Sequence, residues 1–414
     1  MSAVTGPGTP QAAPDRSLFD GVLRADPADP QRVNAYLAAP TVQCHASMLA
    51  TLPDGDLGLV WFGGTQEGVG DVSIWFARLA PGAEKWLEPV RLTFDAQRSE
   101  QNPILFPTPT GELWLLYTAQ EGGNQETAEV RRRVSTDAGR NWSPVQTLFP
   151  ADERGGVFVR QPVVVTESGR WLLGIFRCVT PPGEKWSGDA DTSAVMISDD
   201  HGDSWREVQV PDSVGCVHMS IVDLGGGQLF ALFRSRWADH IYASRSTDDG
   251  DTWSAPVPTD LPNNNSSIQQ CRLADGRLAL IFNNSSRLDA TQRRLSLYDE
   301  IDEQGLIEGA TPAVAPASNQ DPDGDPDQRR AVWGAPRAPM TLAFSAAGGD
   351  SWQLAGNLDE GDGYCLTNNS RDGLNRELSY PAIHQTADGM LHLSYTYHRQ
   401  TIKYVRVPAD WTQG

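Results

Sequence analysis

The chain has 414 residues, with 53 Asp and Glu against 33 Lys and Arg, a formal net charge of −20 and a pI near 4.7. That balance excludes a general nucleic-acid binder, which needs a basic face, and any site for an acidic ligand must be a local positive pocket in a negative field. Thirteen Trp, 39 Gly and 29 Pro with little helical periodicity predict many short strands joined by tight turns.

Residues 1–35 read as a flexible tail and lead-in. The Pro-, Ala- and Gly-rich start lacks the charged and apolar regions of a signal peptide, and no run approaches membrane-spanning length, so the expectation is a cytoplasmic protein without a membrane partner. The folded domain is expected over 36–414, and from Gln43 a single cadence repeats. An apolar strand reaches a Gly-containing turn, a second strand returns, and a third leads onward. The turns fall at 52–56, 107–111, 167–169, 225–227, 274–276 and 387–389, and the third strands near 72–77, 128–134, 193–197, 240–243, 340–344 and 402–405. The five cysteines (Cys44, Cys178, Cys216, Cys271, Cys365) are scattered and odd in number, which predicts buried reduced thiols rather than a disulfide framework.

Several third strands end in one motif, Ser-x-Asp-x-Gly-x-x-Trp. It runs from Ser135 to Trp142, Ser198 to Trp205 and Ser246 to Trp253; a fourth copy, Ser345 to Trp352, has Ala347 in place of Asp. Asp and Gly turn the chain, and Trp is expected to pack under the turn. Six hairpins with this recurrent unit predict an all-β fold, a six-bladed β-propeller of four-stranded antiparallel blades. The spacing breaks once, at an insertion of about 286–332, and a seventh blade built from it is the alternative. The acidic run Asp321 to Asp327 alternates like a calcium loop, but Pro326 stands where the turn Gly belongs, so a solvated acidic loop is expected. No triad of residues at zinc spacing appears, and no cofactor is expected.

The Ser/Asp/Gly/Trp turns resemble the Asp boxes of the sialidase superfamily, and the cadence resembles that fold from Gln43 to Val407. The resemblance implies three arginines around a substrate carboxylate, a tyrosine nucleophile helped by a glutamate, and an aspartic acid as proton donor. Arg234, in Phe233-Arg234-Ser235-Arg236, looks like the second arginine, and Arg337 like the third. Tyr380, in Ser379-Tyr380-Pro381, resembles the nucleophile, and Glu67, in Gly63-Gly64-Thr65-Gln66-Glu67, stands where the acid should be. Two positions depart from the pattern. His45 occupies the place of the first arginine, and Val217-His218-Met219 the place of the glutamate; a neutral histidine cannot give the two-pronged clamp of a guanidinium.

The first strands of a propeller line its channel, so His45, His218 and Tyr380 are expected to converge there with Arg160, Gln101, Asn102, Asn264 and Asn265, which open other blades. Such polar groups suit sugar hydroxyls and a carboxylate. Each also has an ordinary reading: a satisfied buried histidine, a surface pair of Arg234 with Asp239, a turn cap at Glu67, strand core at Tyr380, turn chemistry at the asparagines. Their joint placement on equivalent blade ends favours function. The leading expectation is a sialidase-like exo-glycosidase that removes a terminal acidic sugar (sialic or uronic acid) from a glycan, with Tyr380 as nucleophile, His218 as base and Glu67 as acid. A uronic-acid lyase, with His45 or His218 as base and Tyr380 as acid, is the second, and a non-catalytic carbohydrate-binding propeller the third.

Overall fold

The computed structural model describes residues 15–302, 305–307, 309–317, 329–346 and 348–413. The acidic run Asp321 to Asp327, Ala347 and the first fourteen residues lie outside the described residues.

Continuous apolar runs give buried strands because both faces of each sheet are covered by neighbouring blades. Leu57–Gly64, Leu113–Glu121, Trp171–Cys178, Gln228–Ser235, Leu278–Asn283 and Met390–Tyr397 are the second strands of blades 1 to 6, and nearly every residue in them is buried. The innermost strands are Gln43–Thr51, Arg98–Pro107, Gly156–Val159, Cys216–Gly225, Gln269–Arg272 and Leu378–Gln385. All six blades are antiparallel four-stranded units, with a short extra strand in blades 3 and 6, so the fold is a six-bladed β-propeller.

Ring closure uses the amino terminus. Val33–Tyr36 pairs with Thr401–Pro408, Val33 standing opposite Arg406, and so supplies the outer strand of blade 6. Three of these residues, Val33 to Ala35, fall in the expected lead-in; their strand character rests on pairing with the far end of the chain. The insertion between Leu278–Asn283 and Met340–Ser345 does not make a seventh blade. Its described residues form two small ribbons, Gln292–Arg294 with Val314–Pro316 and Ile301–Asp302 with Gly305–Leu306, too short to pack as a blade.

The boxes work as their composition predicts. Gly139, Gly202 and Gly250 donate backbone N–H bonds of 2.8, 2.7 and 2.9 Å to Ser135, Ser198 and Ser246, and each box Trp donates its indole N–H to that glycine's carbonyl. Asp137, Asp200 and Asp248 accept a backbone N–H four residues on, which closes the turn. In the fourth box, without Asp, the indole N–H of Trp352 has no partner among the described residues. All five cysteines are free, and among the described residues no helix is long and apolar enough to cross a membrane.

Candidate functional site

Four innermost strands, and the segment leading into a fifth, share one backbone device. Ala46, Asn102, His218, Asn265 and Tyr380 all have φ between +50° and +58°, at equivalent places in blades 1, 2, 4, 5 and 6. In blades 1, 2, 4 and 6 the ladder register shifts there, as at a bulge. A left-handed residue breaks the strand's alternation and re-aims its side chain; for a bulky aromatic such as Tyr380 the conformation is costly and marks a functional candidate.

Tyr380 sits on the axis. Its ring centroid lies 4.2 Å from that of His45 (blade 1) and 5.6 Å from that of His218 (blade 4). The guanidinium carbons of Arg160 (blade 3), Arg234 (blade 4) and Arg337 (blade 5) lie 5.5, 5.5 and 5.7 Å from it. A side chain from blade 6 touching four other blades can only stand at the centre of the ring. Arg234 Nη1 donates to Tyr380 Oη at 2.7 Å, and Arg234 Nε to Asn265 Oδ1 at 2.8 Å. Arg234 is therefore not a surface partner of Asp239, which instead accepts from Ser235 and Tyr242.

Two further residues, not singled out from the sequence, complete the cluster. Glu377, fully buried before the innermost strand of blade 6, accepts from Arg337 Nη1 at 3.0 Å, Asn375 Nδ2 at 3.0 Å and Ser379 Oγ at 2.5 Å. Arg399, in the tight turn after Met390–Tyr397, forms an ion pair with Glu377 at 3.2 Å and donates Nη1 to Glu67 Oε2 at 2.7 Å. Its Nη2 lies 3.4 Å from His45 Nε2. A guanidinium from blade 6 thus stands beside the imidazole that replaces the first arginine. Its signal was positional: Arg399 follows the second strand of its blade, and Arg234 ends the second strand of blade 4.

The remaining predicted residues divide. Asn265 orients Arg234. Arg160 donates Nη2 to the carbonyls of Ser47, Tyr380 and Pro381, so it braces the strand that carries the tyrosine. Asn264 is held by Ser285 and the carbonyl of Pro336, and Gln101 by Ser99. Asn102 keeps a buried, unpartnered Oδ1. Glu67, Arg337 and Tyr380 retain 6–8% exposure, whereas His45 and Arg234 are sealed.

Electrostatics follow from burial. Desolvation, then the nearby arginines, hold both His45 and His218 well below the ordinary imidazole value, so both are neutral bases at neutral pH. Burial would raise Glu377, but Arg337 and Arg399 outweigh it and hold that carboxyl well below the usual range. Burial brings Arg160 and Arg234 down to about 10; among the described residues neither has a carboxylate partner. The centre of this acidic chain therefore carries unneutralised positive charge. Among the described residues no group of His, Cys, Asp and Glu is arranged to hold a metal ion.

A cavity of about 1280 Å³ opens beside this cluster and not on it. Trp186, Tyr298 and Trp333 line it, the last 5.9 Å from the Arg234 guanidinium.

Asp-box turns, six blades and a guanidinium-ringed tyrosine on the axis define an Asp-box β-propeller. The chain belongs to the BNR repeat-like domain family, which matches residues 55–393. None of the curated proteins matches it in sequence. Among solved structures it is similar to the Hadza microbial sialidase Hz136 (15% identity, 89% of this chain and 66% of that one, TM-score 0.61). It is also similar to the intramolecular trans-sialidase of Ruminococcus gnavus (14%, 91% and 96%, 0.61) and to a Dyadobacter fermentans protein of unknown function (15%, 92% and 100%, 0.63). At these identities the likeness concerns the fold.

Proposed function

We propose that this propeller is an exo-glycosidase that hydrolyses a terminal acidic sugar, sialic or uronic, from a glycan. The observation that carries the reading is the bond from Arg234 to Tyr380 Oη within a buried ring of guanidiniums that lacks enough carboxylates to neutralise it. Buried arginines without anionic partners are costly, so a ligand carboxylate supplies the missing charge. Similarity to two sialidase-type structures supports the same class of substrate.

In this reading Arg234 and Arg337 hold the sugar carboxylate, and Tyr380 Oη attacks the anomeric carbon. For a sialic acid, whose anomeric carbon bears the carboxylate, a phenol nucleophile suits the centre because a neutral attacker avoids charge repulsion. Neutral His218 reaches the same guanidinium as Tyr380, at 3.4 Å, and receives the phenolic proton. Glu67 exchanges its contact with Arg399 for the glycosidic oxygen, takes up a proton from solvent as that ion pair is released, and passes it to the leaving group. Water then releases the sugar from Tyr380.

The two neutral histidines beside Tyr380 also favour a second reading, a lyase in which His218 removes the proton next to the carboxylate. Aryl glycosides of sialic and glucuronic acid, and acidic oligosaccharides followed by absorbance in the band of unsaturated uronates, separate the two. Free reducing sugar without new absorbance supports hydrolysis; new absorbance overturns it in favour of the lyase. Tyr380→Phe should abolish turnover while leaving affinity for the free sugar acid nearly intact. Absence of both turnover and sugar-acid binding refutes the proposal.

A further inference from the structure

Glu67 stands on a loop that is held at its base and at its tip. Gly63 and Gly64 lead into it, and Gly64 faces Gln43 across the ladder of blade 1. A Cβ on Gly63 would stand 2.8 Å from the Gln43 carbonyl oxygen, so a side chain there would push the loop off that strand. Asp71 closes the base by accepting the Thr65 backbone N–H at 3.0 Å and the Thr65 hydroxyl. At the tip, side chains from two different blades take two consecutive backbone donors. The Glu67 N–H donates to Gln43 Oε1 (blade 1) at 2.7 Å, and the Gly68 N–H to Ser99 Oγ (blade 2) at 3.2 Å.

Gln43 uses every bond its amide can make. Besides Glu67, its Oε1 accepts from Arg399 Nη1 at 3.3 Å, and its Nε2 donates to the carbonyl of Asn368 at 2.9 Å and to Ser370 Oγ at 3.2 Å. The segment after blade 5 thus locks the amide from one side, and its oxygen becomes a fixed point for the loop on the other. Gln43 and Ser99 are both buried, so water does not replace these partners. The Gln43 oxygen also shares a donor with the acid, because Arg399 Nη1 lies 2.7 Å from Glu67 Oε2. When the Glu67 carboxyl turns to the glycosidic oxygen, Arg399 keeps Gln43 and Glu377, and no buried donor is stranded.

We propose that Gln43 and Ser99 are the positioning residues of the acid step: they hold the amides on both sides of the Glu67 Cα and so set where its carboxyl can reach. The inference rests on the hydrolase reading, in which Glu67 delivers a solvent-derived proton to the leaving oxygen while the C–O bond breaks and that oxygen keeps the bonding electrons. Neither Gln43 nor Ser99 exchanges a proton. Each determines whether the carboxyl arrives within hydrogen-bond distance of that oxygen.

Leaving-group dependence isolates this role. A 4-nitrophenyl glycoside of sialic or glucuronic acid releases a phenolate that departs without a proton, whereas the methyl glycoside needs the acid. Gln43→Met fills much the same volume and removes the amide. Its kcat/KM for the methyl glycoside should fall about a hundredfold, the lower end of what a positioned acid contributes. The nitrophenyl glycoside should stay within about threefold, because its oxygen leaves unaided. Ser99→Ala frees the Gly68 N–H alone and should show the same split at about tenfold. Hydrogen exchange of the full chain reads the placement without turnover: amides over 65–69 should exchange faster in each variant while the blades stay protected. If Gln43→Met loses protection throughout, it has unfolded and Ser99→Ala decides. Equal losses on both glycosides in a folded variant, or an unchanged rate on the methyl glycoside, overturn the inference while the hydrolase stands. If the unaltered protein cleaves neither glycoside, the hydrolase reading fails and the acid step falls with it.

Discussion

Glu377→Gln tests the cluster most directly, because one carboxylate there organises two arginines and a histidine. In the folded protein Glu377 accepts from Arg337, Asn375 and Ser379, pairs with Arg399 at 3.2 Å, and lies 3.6 Å from His45 Nδ1. A glutamine fills the same space but turns an N–H₂ toward one guanidinium, setting donor against donor and leaving that charge unpaired. Removing one partner of a buried ion pair costs about 3–5 kcal/mol, most of it the penalty of stranding the other charge. Arg399 keeps Glu67, so the loss should fall mainly on Arg337. Urea denaturation at neutral pH reads the loss, and sugar-acid affinity should fall with it as Arg337 loses its orientation. The sign with pH is fixed: the folded carboxyl sits below its unfolded value of 4.5, so its stabilisation is full above that pH and lost as pH falls. The gap between the two proteins should therefore be widest near neutrality and shrink below pH 4.5. A variant within about 0.5 kcal/mol of the parent, the range of an ordinary surface change, would refute the account of Glu377 as the cluster's anchor.

Arg337→Ala should cost about 2–5 kcal/mol of binding or transition-state energy for an acidic glycoside, and equal rates on the carboxyl-reduced substrate would defeat the acidic-sugar assignment. Trp253→Ala, at the most buried box tryptophan, should cost about 3–5 kcal/mol in urea denaturation; a melting curve near that of the parent would mean the boxes do not carry packing energy. Burial disfavours imidazolium and holds His45, His218, His384, His392 and His398 below the ordinary imidazole value of 6.5, the last three at about 4. Unfolding then takes up protons, so stability should be intact above about pH 6.5 and decline as pH falls. A melting temperature constant from neutrality to pH 5 contradicts that.

Blade architecture was legible because it is local. A turn glycine, a strand of apolar residues and the Ser/Asp/Gly/Trp box each specify their hairpin within ten or so residues, and six repetitions add up to a ring. Two features were not local. Val33–Tyr36 becomes a strand only when Thr401–Pro408 arrives beside it, and nothing in Val-Asn-Ala-Tyr announces a partner so distant in the chain. The insertion likewise has no hydrophobic periodicity of its own. Its described residues are held by contacts with the rest of the chain, such as those by which Glu300 accepts from Thr367 and from the backbone of Asn368.

Within the site, residues at strand starts were legible because blades repeat, so equivalent positions can be compared. His45, His218 and Tyr380 meet as that comparison predicts. Arg399 and Glu377 were hidden because they flank strands in turns, where a polar residue looks like any solvated turn residue. Their pairing also explains how a histidine can stand at position 45. A guanidinium on blade 1 would place another positive charge against Arg399, with Glu67 and Glu377 already shared among the arginines present. A neutral imidazole adds no charge and can accept from Arg399 while facing Thr396 at 2.8 Å. Arg399 brings a guanidinium from blade 6 to within 3.4 Å of this imidazole. Two substitutions separate this account from a mere loss of the first arginine. His45→Arg should destabilise the fold through like-charge crowding, whereas His45→Arg combined with Arg399→Gln should recover much of that loss. Additive effects in the pair would mean that the two positions do not share one role.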